Sequence, residues 1–227
     1  MLKYRKANKF LHWWIMIRND KEKAVCLLVG SADYYADRAP DRESAYIIAL
    51  DGGYAHLTAR GITPDAVVGD FDSLGYTPDL DGVTVLPRVK DDTDSFWAAK
   101  QALWQGYRRF YLVGCTGGDR PEHTVANISL MLYLVRHGAM SVIMEGEHQM
   151  YRVVSAPCRL EFLGERGHFS VFSLSERTFG VTMRGFEYET DRVTLCSDIP
   201  IGVSNSFNRA VCTLEAEKGD LLLIWDK

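Results

Sequence analysis

Short apolar runs that stop dead at glycine or aspartate constrain this chain most. Val25-Cys26-Leu27-Leu28-Val29 ends at Gly30, and Tyr46-Ile47-Ile48-Ala49-Leu50 ends at Asp51-Gly52-Gly53. Ala66-Val67-Val68 ends at Gly69-Asp70, and Phe110-Tyr111-Leu112-Val113 ends at Gly114. A run that is apolar at every position reads as a strand covered on both faces. Val83 to Leu86 and Ser141 to Met144 extend the set. Between the runs lie segments that read as helices: Tyr54 to Arg60, Thr93 to Gln105 and Thr124 to His137, each followed by glycine. Phe96, Ala99, Leu103 and Trp104 mark the expected buried face of the second, and Val125, Ile128, Leu132 and Val135 that of the third. This alternation predicts a mainly parallel α/β sheet with helices on both faces.

Beyond Gly146 the helical period fades. Arg159 to Leu163, His168 to Leu174, Arg192 to Cys196, Val211 to Glu215 and Leu221 to Trp225 are rich in β-branched and aromatic residues, separated by Gly, Asp and Asn. They predict a C-terminal antiparallel β-sandwich. The expected division is an α/β domain over 1–146 and a β-sandwich domain over 147–227, with the boundary near Glu145 to Tyr151.

The residues after the strands carry the chemistry. From Asp51 to Asp94 there are nine aspartates and no glutamate. Gly69-Asp70-Phe71-Asp72-Ser73 sets two carboxylates one residue apart just past a strand, and Lys90-Asp91-Asp92-Thr93-Asp94 leads into a helix. Asp also serves widely as a turn and N-cap residue, because its carboxylate accepts backbone N–H bonds. Two adjacent carboxylates repel unless a cation or donor lies between them, so the pattern points equally to a Mg²⁺ site for phosphate chemistry. Gly114-Cys115-Thr116-Gly117-Gly118-Asp119-Arg120 precedes a helix and suits an anion: glycines admit it, the helix start offers free N–H groups, and Arg120 offers a guanidinium. His123 follows as a capping or ligand-contacting residue. Neither a P-loop nor a G-x-G-x-x-G dinucleotide fingerprint occurs.

Composition narrows the class. Hydrophobic content of 47% and 25% charged residues exclude a disordered chain. A net charge of −4 argues against nucleic acid as a partner. Cys26, Cys115, Cys158, Cys196 and Cys212 are odd in number and form no CxxC pair, which favours a reducing cytoplasm over a disulfide framework or structural zinc. Phe10 to Ile17 is too short and too polar to be a signal peptide with its cleavage site, and reads as a peripheral strand or packing segment. No apolar stretch approaches the ~20 residues needed to span a bilayer, so no membrane partner is expected.

In order, these motifs resemble the thiamine pyrophosphokinase family. The matching residues are Leu50-Asp51-Gly52-Gly53-Tyr54, Pro64-Asp65 with Gly69 to Ser73, and Lys90 to Asp94. Gly114 to Arg120 with His123 and Asn127, and then Gly202-Val203-Ser204-Asn205, complete the order. Asp119 lengthens the glycine loop by one residue, and Glu122 stands where the family has Asp. The resemblance implies Mg²⁺-dependent transfer of pyrophosphate from ATP to the hydroxyl of thiamine, with release of AMP, in a homodimer that binds thiamine between subunits. It implies Asp70, Asp72 and Asp94 as metal-holding and catalytic residues, one of the cluster taking the hydroxyl proton. Asp92, Thr93, Gly114, Thr116, Gly117, Gly118, Arg120, Glu122, His123 and Asn127 would contact ATP. Asp51, Gly52, Ser204, Asn205 and Tyr188 would contact thiamine, although Tyr188 and Trp225 each read first as packing residues. The alternatives are a nucleotide-dependent transferase for another alcohol, or a non-catalytic sensor of thiamine or nucleotide.

Overall fold

The computed structural model describes residues 25–72, 74–89 and 91–227. The expectation for Phe10 to Ile17, and the side chains of Ser73 and Lys90, lie outside the described residues. The first part of the chain supplies β1 (Val25–Val29), β2 (Ala45–Leu50), α1 (Gly53–Thr58), β3 (Ala66–Gly69) and β4 (Val83–Val85). Then come α2 (Asp94–Trp104), β5 (Arg109–Val113), α3 (Pro121–Arg136) and β6 (Ser141–Glu145). The second part is all strand: β7 (Gln149–Ser155), β8 (Cys158–Leu163), β9 (His168–Ser173), β10 (Arg177–Arg184), β11 (Thr190–Cys196), β12 (Asn205–Ser206), β13 (Val211–Ala216) and β14 (Asp220–Asp226).

One sheet of ten strands runs in the order β12-β9-β14-β7-β6-β5-β1-β2-β3-β4. Pairing is parallel from β6 through β4 and antiparallel from β6 outward through β7, β14, β9 and β12. The sheet therefore passes residue 146 without a break. A second sheet, β11-β10-β13-β8, is wholly antiparallel. The result is a mixed α/β fold, mostly parallel at first and antiparallel thereafter.

Period-two alternation divides the core. Cys26 and Leu28 face α2 and α3, together with Val68, Leu112 and Met144. Leu27 and Val29 face the other way, into a cluster that takes in Leu57 of α1 and Phe162, Val181, Met183 and Leu214 of the second sheet. Strand β14 lies between β7 and β9, with Leu221 and Leu223 fully buried. Cover for Leu221 to Trp225 thus comes from the chain itself. Trp225 packs as expected, edge-on to Phe162 at 5.6 Å.

Two helix faces differ from expectation. α2 buries Ala98, Ala99 and Ala102, while Trp104 is 85% exposed. Small side chains let this helix approach α3 and the sheet closely, so the largest residue is displaced to solvent. α3 buries Asn127, Leu130, Met131 and Leu134, whereas Val125 is exposed. Its inward face is set partly by a polar residue, Asn127, which apolar periodicity cannot detect. Strand β7 also escaped sequence reading, because it begins inside the stretch that looked like a linker.

Candidate active site

Strand order reverses about β1, which pairs with β2 on one side and β5 on the other. A crevice opens outside the carboxyl ends of parallel strands at such a point. Here the Gly30 N–H donates to Val113 O at 2.8 Å and the Ala32 N–H to Gly114 O at 3.0 Å. Gly114 has φ +62, and a Cβ there or at Gly30 would strike the other loop's backbone. Only glycine permits this close approach. A cavity of about 570 Å³ opens above it. It is lined by Gly30 to Asp33, by Asp51, Asp70, Asp72 and Asp94, and by the glycine loop with Arg120, His123 and Asn127.

The acidic wall is built by unusual backbone. Asp51 has φ 47 and Phe71 has φ 58. Positive φ is strained for a bulky residue and persists only where the surroundings enforce it. Phe71 is buried in the core, which anchors the turn and leaves Asp70 and Asp72 on the cavity side. Asp51 is drawn in by its N–H bond to Val68 O at 2.9 Å. Carboxylate oxygens of Asp51, Asp70 and Asp72 lie within 4.8 Å of one another. Arg88 reaches Asp72 at 2.6 Å, and the Asp72 N–H donates to Asp70 at 3.3 Å. Three close carboxylates form a hard oxygen donor set that fits Mg²⁺. The expected trio was Asp70, Asp72 and Asp94, with Asp51 reserved for the acceptor. Asp51 groups with Asp70 and Asp72, and Asp94 lines the same cavity.

Thr93 caps α2 by accepting the Phe96 N–H at 3.2 Å, which places Asp94 in the first turn. Ser95 Oγ donates to Asn127 Oδ1 at 2.9 Å, and Asn127 Nδ2 donates to Cys115 O at 2.8 Å. One buried amide thus ties the starts of α2 and α3 to the end of β5. Arg120 Nε donates to Glu122 Oε1 at 2.8 Å, and this bond holds the Glu122 carboxyl below its usual range. Burial pushes the Cys115 thiol up to about 12, which disfavours its thiolate form. Asp92 is engaged by Lys100 at 2.6 Å. Gly52, Asp92, Thr116 and Glu122 are not among the lining residues. Ser31, Ala32, Asp33 and Ser95 line the cavity and were missed. The signal for the first three was Gly30 at the end of the first apolar run.

Ser204, Asn205 and Tyr188 are placed elsewhere, at the β12 edge of the sheet. Asn205 is buried and spends its side chain on backbone. Its Oδ1 accepts from the N–H groups of Tyr188 and Ser206 at 2.9 Å, and its Nδ2 donates to Tyr188 O at 2.8 Å. Tyr188, read first as a packing residue and through the resemblance as a thiamine contact, is 68% exposed, and Ile199, Ile201 and Val203 are exposed too. No described helix is long and apolar enough to cross a membrane.

Comparison with known proteins agrees with the fold. Residues 41–144 match the family described as "Thiamin pyrophosphokinase, catalytic domain". The thiamine pyrophosphokinase of Bacillus subtilis (strain 168) is 25% identical over 183 residues, covering 78% of this chain and 85% of that protein. The crystal structure of thiamine pyrophosphokinase from Bacillus subtilis superposes with a TM-score of 0.79 at 23% identity, over 90% of this chain and 99% of the other. Thiamin pyrophosphokinase from Geobacillus thermodenitrificans gives 0.77 at 24% identity, over 89% and 97%. That from Candida albicans gives 0.73 at 14%, over 90% and 89%.

Proposed function

Because this chain belongs to the thiamin pyrophosphokinase family, we propose that it transfers the pyrophosphoryl group of ATP to the hydroxyl of thiamine, giving thiamine diphosphate and AMP. The observation that carries the reading is the trio Asp51, Asp70 and Asp72, whose carboxylate oxygens lie within 4.8 Å of one another on the wall of the switch-point cavity. Asp94 lines the same cavity, as do the turns at Gly114, Gly117 and Gly118.

Mg²⁺ bound at the carboxylates supplies charge neutralisation for the triphosphate. The chain's own residues do the positioning. The glycine loop gives the phosphates close access to backbone, and Arg120, whose Nε bonds Glu122, would offer them its remaining N–H donors. His123 and Thr93 stand at the two helix starts that border the cavity. An aspartate of the cluster accepts the proton of the attacking hydroxyl. Transfer of this kind needs alignment and electrostatics rather than covalent help from the protein.

The acceptor contacts proposed at Ser204, Asn205 and Tyr188 sit on the β12 edge, remote from the acidic wall in sheet order. The proposal therefore includes a homodimer in which this edge of one protomer meets the cavity of its partner. Tyr188, Ile199, Ile201 and Val203 provide exposed apolar area for that contact. Residues 1–146 would serve the donor and 147–227 the acceptor and the subunit contact, in a cytoplasmic enzyme. Incubation of purified protein with ATP, Mg²⁺ and thiamine should yield AMP and thiamine diphosphate in equal amounts. Light scattering should return twice the chain mass of 25.7 kDa. Formation of ADP with thiamine monophosphate refutes pyrophosphoryl transfer, and a fully active monomer refutes the shared site.

A further inference from the structure

A buried carboxylate lies outside the chemistry just described. Glu145, the last residue of β6, is 1% exposed. A lone buried charge is costly unless several donors satisfy it. Glu145 has them: Tyr111 Oη at 2.8 Å, the Asp37 N–H at 2.8 Å, the Arg38 N–H at 3.2 Å and Lys227 Nζ at 3.0 Å. Lys227 also bonds Asp37 at 2.6 Å and Gly146 O at 3.1 Å. Burial pulls against the lysine's charge, but the bonds to Asp37 and Glu145 outweigh it and raise its pKa.

Besides Tyr111 of β5, the donors come from two parts of the chain that need not otherwise meet. Asp37 and Arg38 belong to the β1–β2 loop, whose first residues, Gly30 to Asp33, line the cavity. Tyr34, Ala36 and Ala39 of that loop pack on the core, and Arg38 also binds Glu165 at 2.9 Å. Lys227 follows β14, which pairs with β9, and β9 carries β12. Gly146 lies beside the second cavity loop: a Cβ there would come within 3.1 Å of Thr116 Cγ2. The β6–β7 corner thus touches both cavity loops and the strand system leading to Asn205.

We propose that Glu145 and Lys227 form an ionic clamp that positions the β1–β2 loop as a wall of the nucleotide cavity. Glu145 is a positioning residue acting through Asp37 and Arg38, and Lys227 keeps its charge compensated. This rests on the proposed function only in taking ATP as the cavity's occupant. With the Glu145→Gln variant, the neutral amide retains an acceptor for Tyr111 but not the charge that holds Lys227 and two N–H groups. Loosening a wall that contacts the bound nucleotide equally in ground and transition states weakens binding without slowing the chemical step.

The test pairs Glu145→Gln, which removes the buried charge, with Lys227→Met, which removes its partner, in the full chain. Calorimetric binding of a non-hydrolysable ATP analogue with Mg²⁺ should weaken by about tenfold in Glu145→Gln. KM for ATP should rise with kcat and the thiamine KM held within about twofold, as expected when only binding common to ground and transition states is lost. Hydrogen exchange at the Asp37 and Arg38 amides, read without nucleotide, should quicken in both variants while β5 and β6 amides stay protected. Glu145→Asp should restore part of the affinity. Unchanged protection of the two amides in both variants overturns the clamp, whatever the chain's substrate proves to be. So does a fall in kcat matching the rise in KM, or a uniform loss of protection that marks a purely structural role. If wild type turns over no thiamine, the proposed function fails while analogue binding and exchange still decide the clamp. If wild type binds no analogue, ATP as occupant fails and the exchange result stands alone.

Discussion

Replacing Asp72 with Asn should lower activity and raise stability together, and the pairing of signs is what tests the site. The carboxylate oxygens of Asp51, Asp70 and Asp72 lie within 4.8 Å of one another. At that distance each pair repels by about 0.9 kcal/mol at the dielectric of water and about 3.5 kcal/mol at an effective value near 20. Asp72 is 46% exposed, so the lower figure applies. Relief from two neighbours gives roughly 1.7 kcal/mol. Loss of the exposed Arg88 pair returns about 0.2–1 kcal/mol. From these three neighbours alone the net gain is about 1 kcal/mol, which corresponds to a rise in the metal-free melting temperature of about 2–4 °C for a chain of this size. Mg²⁺ should then stabilise wild type by mass action, by about 2.7 kcal/mol at a hundredfold excess over Kd, and the variant much less. Turnover should fall by about a hundredfold or more, the scale seen when one preorganised electrostatic contact is lost. Differential scanning calorimetry in chelator and in Mg²⁺, beside an AMP-release assay, reads all three quantities. A variant that melts earlier in chelator, yet gains as much from Mg²⁺ as wild type, would show that Asp72 is a structural anchor and not a metal ligand.

Two further predictions concern the framework. Asn127→Ala leaves Cys115 O and Ser95 without their buried partner. It should cost about 2 kcal/mol in urea unfolding, and an equally stable variant would deny that this amide ties α2 to α3. Asp220 is buried, which opposes its charge, but bonds from Ser155, Arg136 and Ser175 outweigh burial and lower its pKa. Its stabilisation is therefore complete above the unfolded value of about 3.9 and lost as pH falls through the lower folded value. Asp220→Asn should be destabilised at pH 7, with the gap to wild type closing toward pH 2; a gap independent of pH would remove the carboxylate's charge from the account.

Local pattern was enough for the parallel half of the fold. Val25 to Val29 and Ser141 to Met144 are apolar throughout, or nearly so, because strands sandwiched between layers have no solvent face. Glycines and aspartates stood at the strand ends because close loop approach and helix starts demand them, so Asp70, Asp72, Asp94 and the Gly114 to Arg120 loop were legible as a site. Side-chain neighbours were not. Which face of α2 is buried depended on how closely alanines let it pack, and Trp104 lost that contest. Asn127 turned inward for hydrogen bonds that only the folded chain supplies. Asp51 joined Asp70 and Asp72 because parallel pairing of β2 with β3 sets their ends side by side, a relation that no spacing along the chain encodes. The same holds for Glu145. In sequence it is one acidic residue at a strand end, and its five hydrogen bonds to oxygen and nitrogen donors reach it from positions 34 to 108 residues away. Local propensity determined the elements and placed the acidic residues and glycines that line the cavity at their ends. Long-range pairing and burial alone decided which of those ends meet, because the cost of an unsatisfied buried charge is felt only once the chain has closed around it.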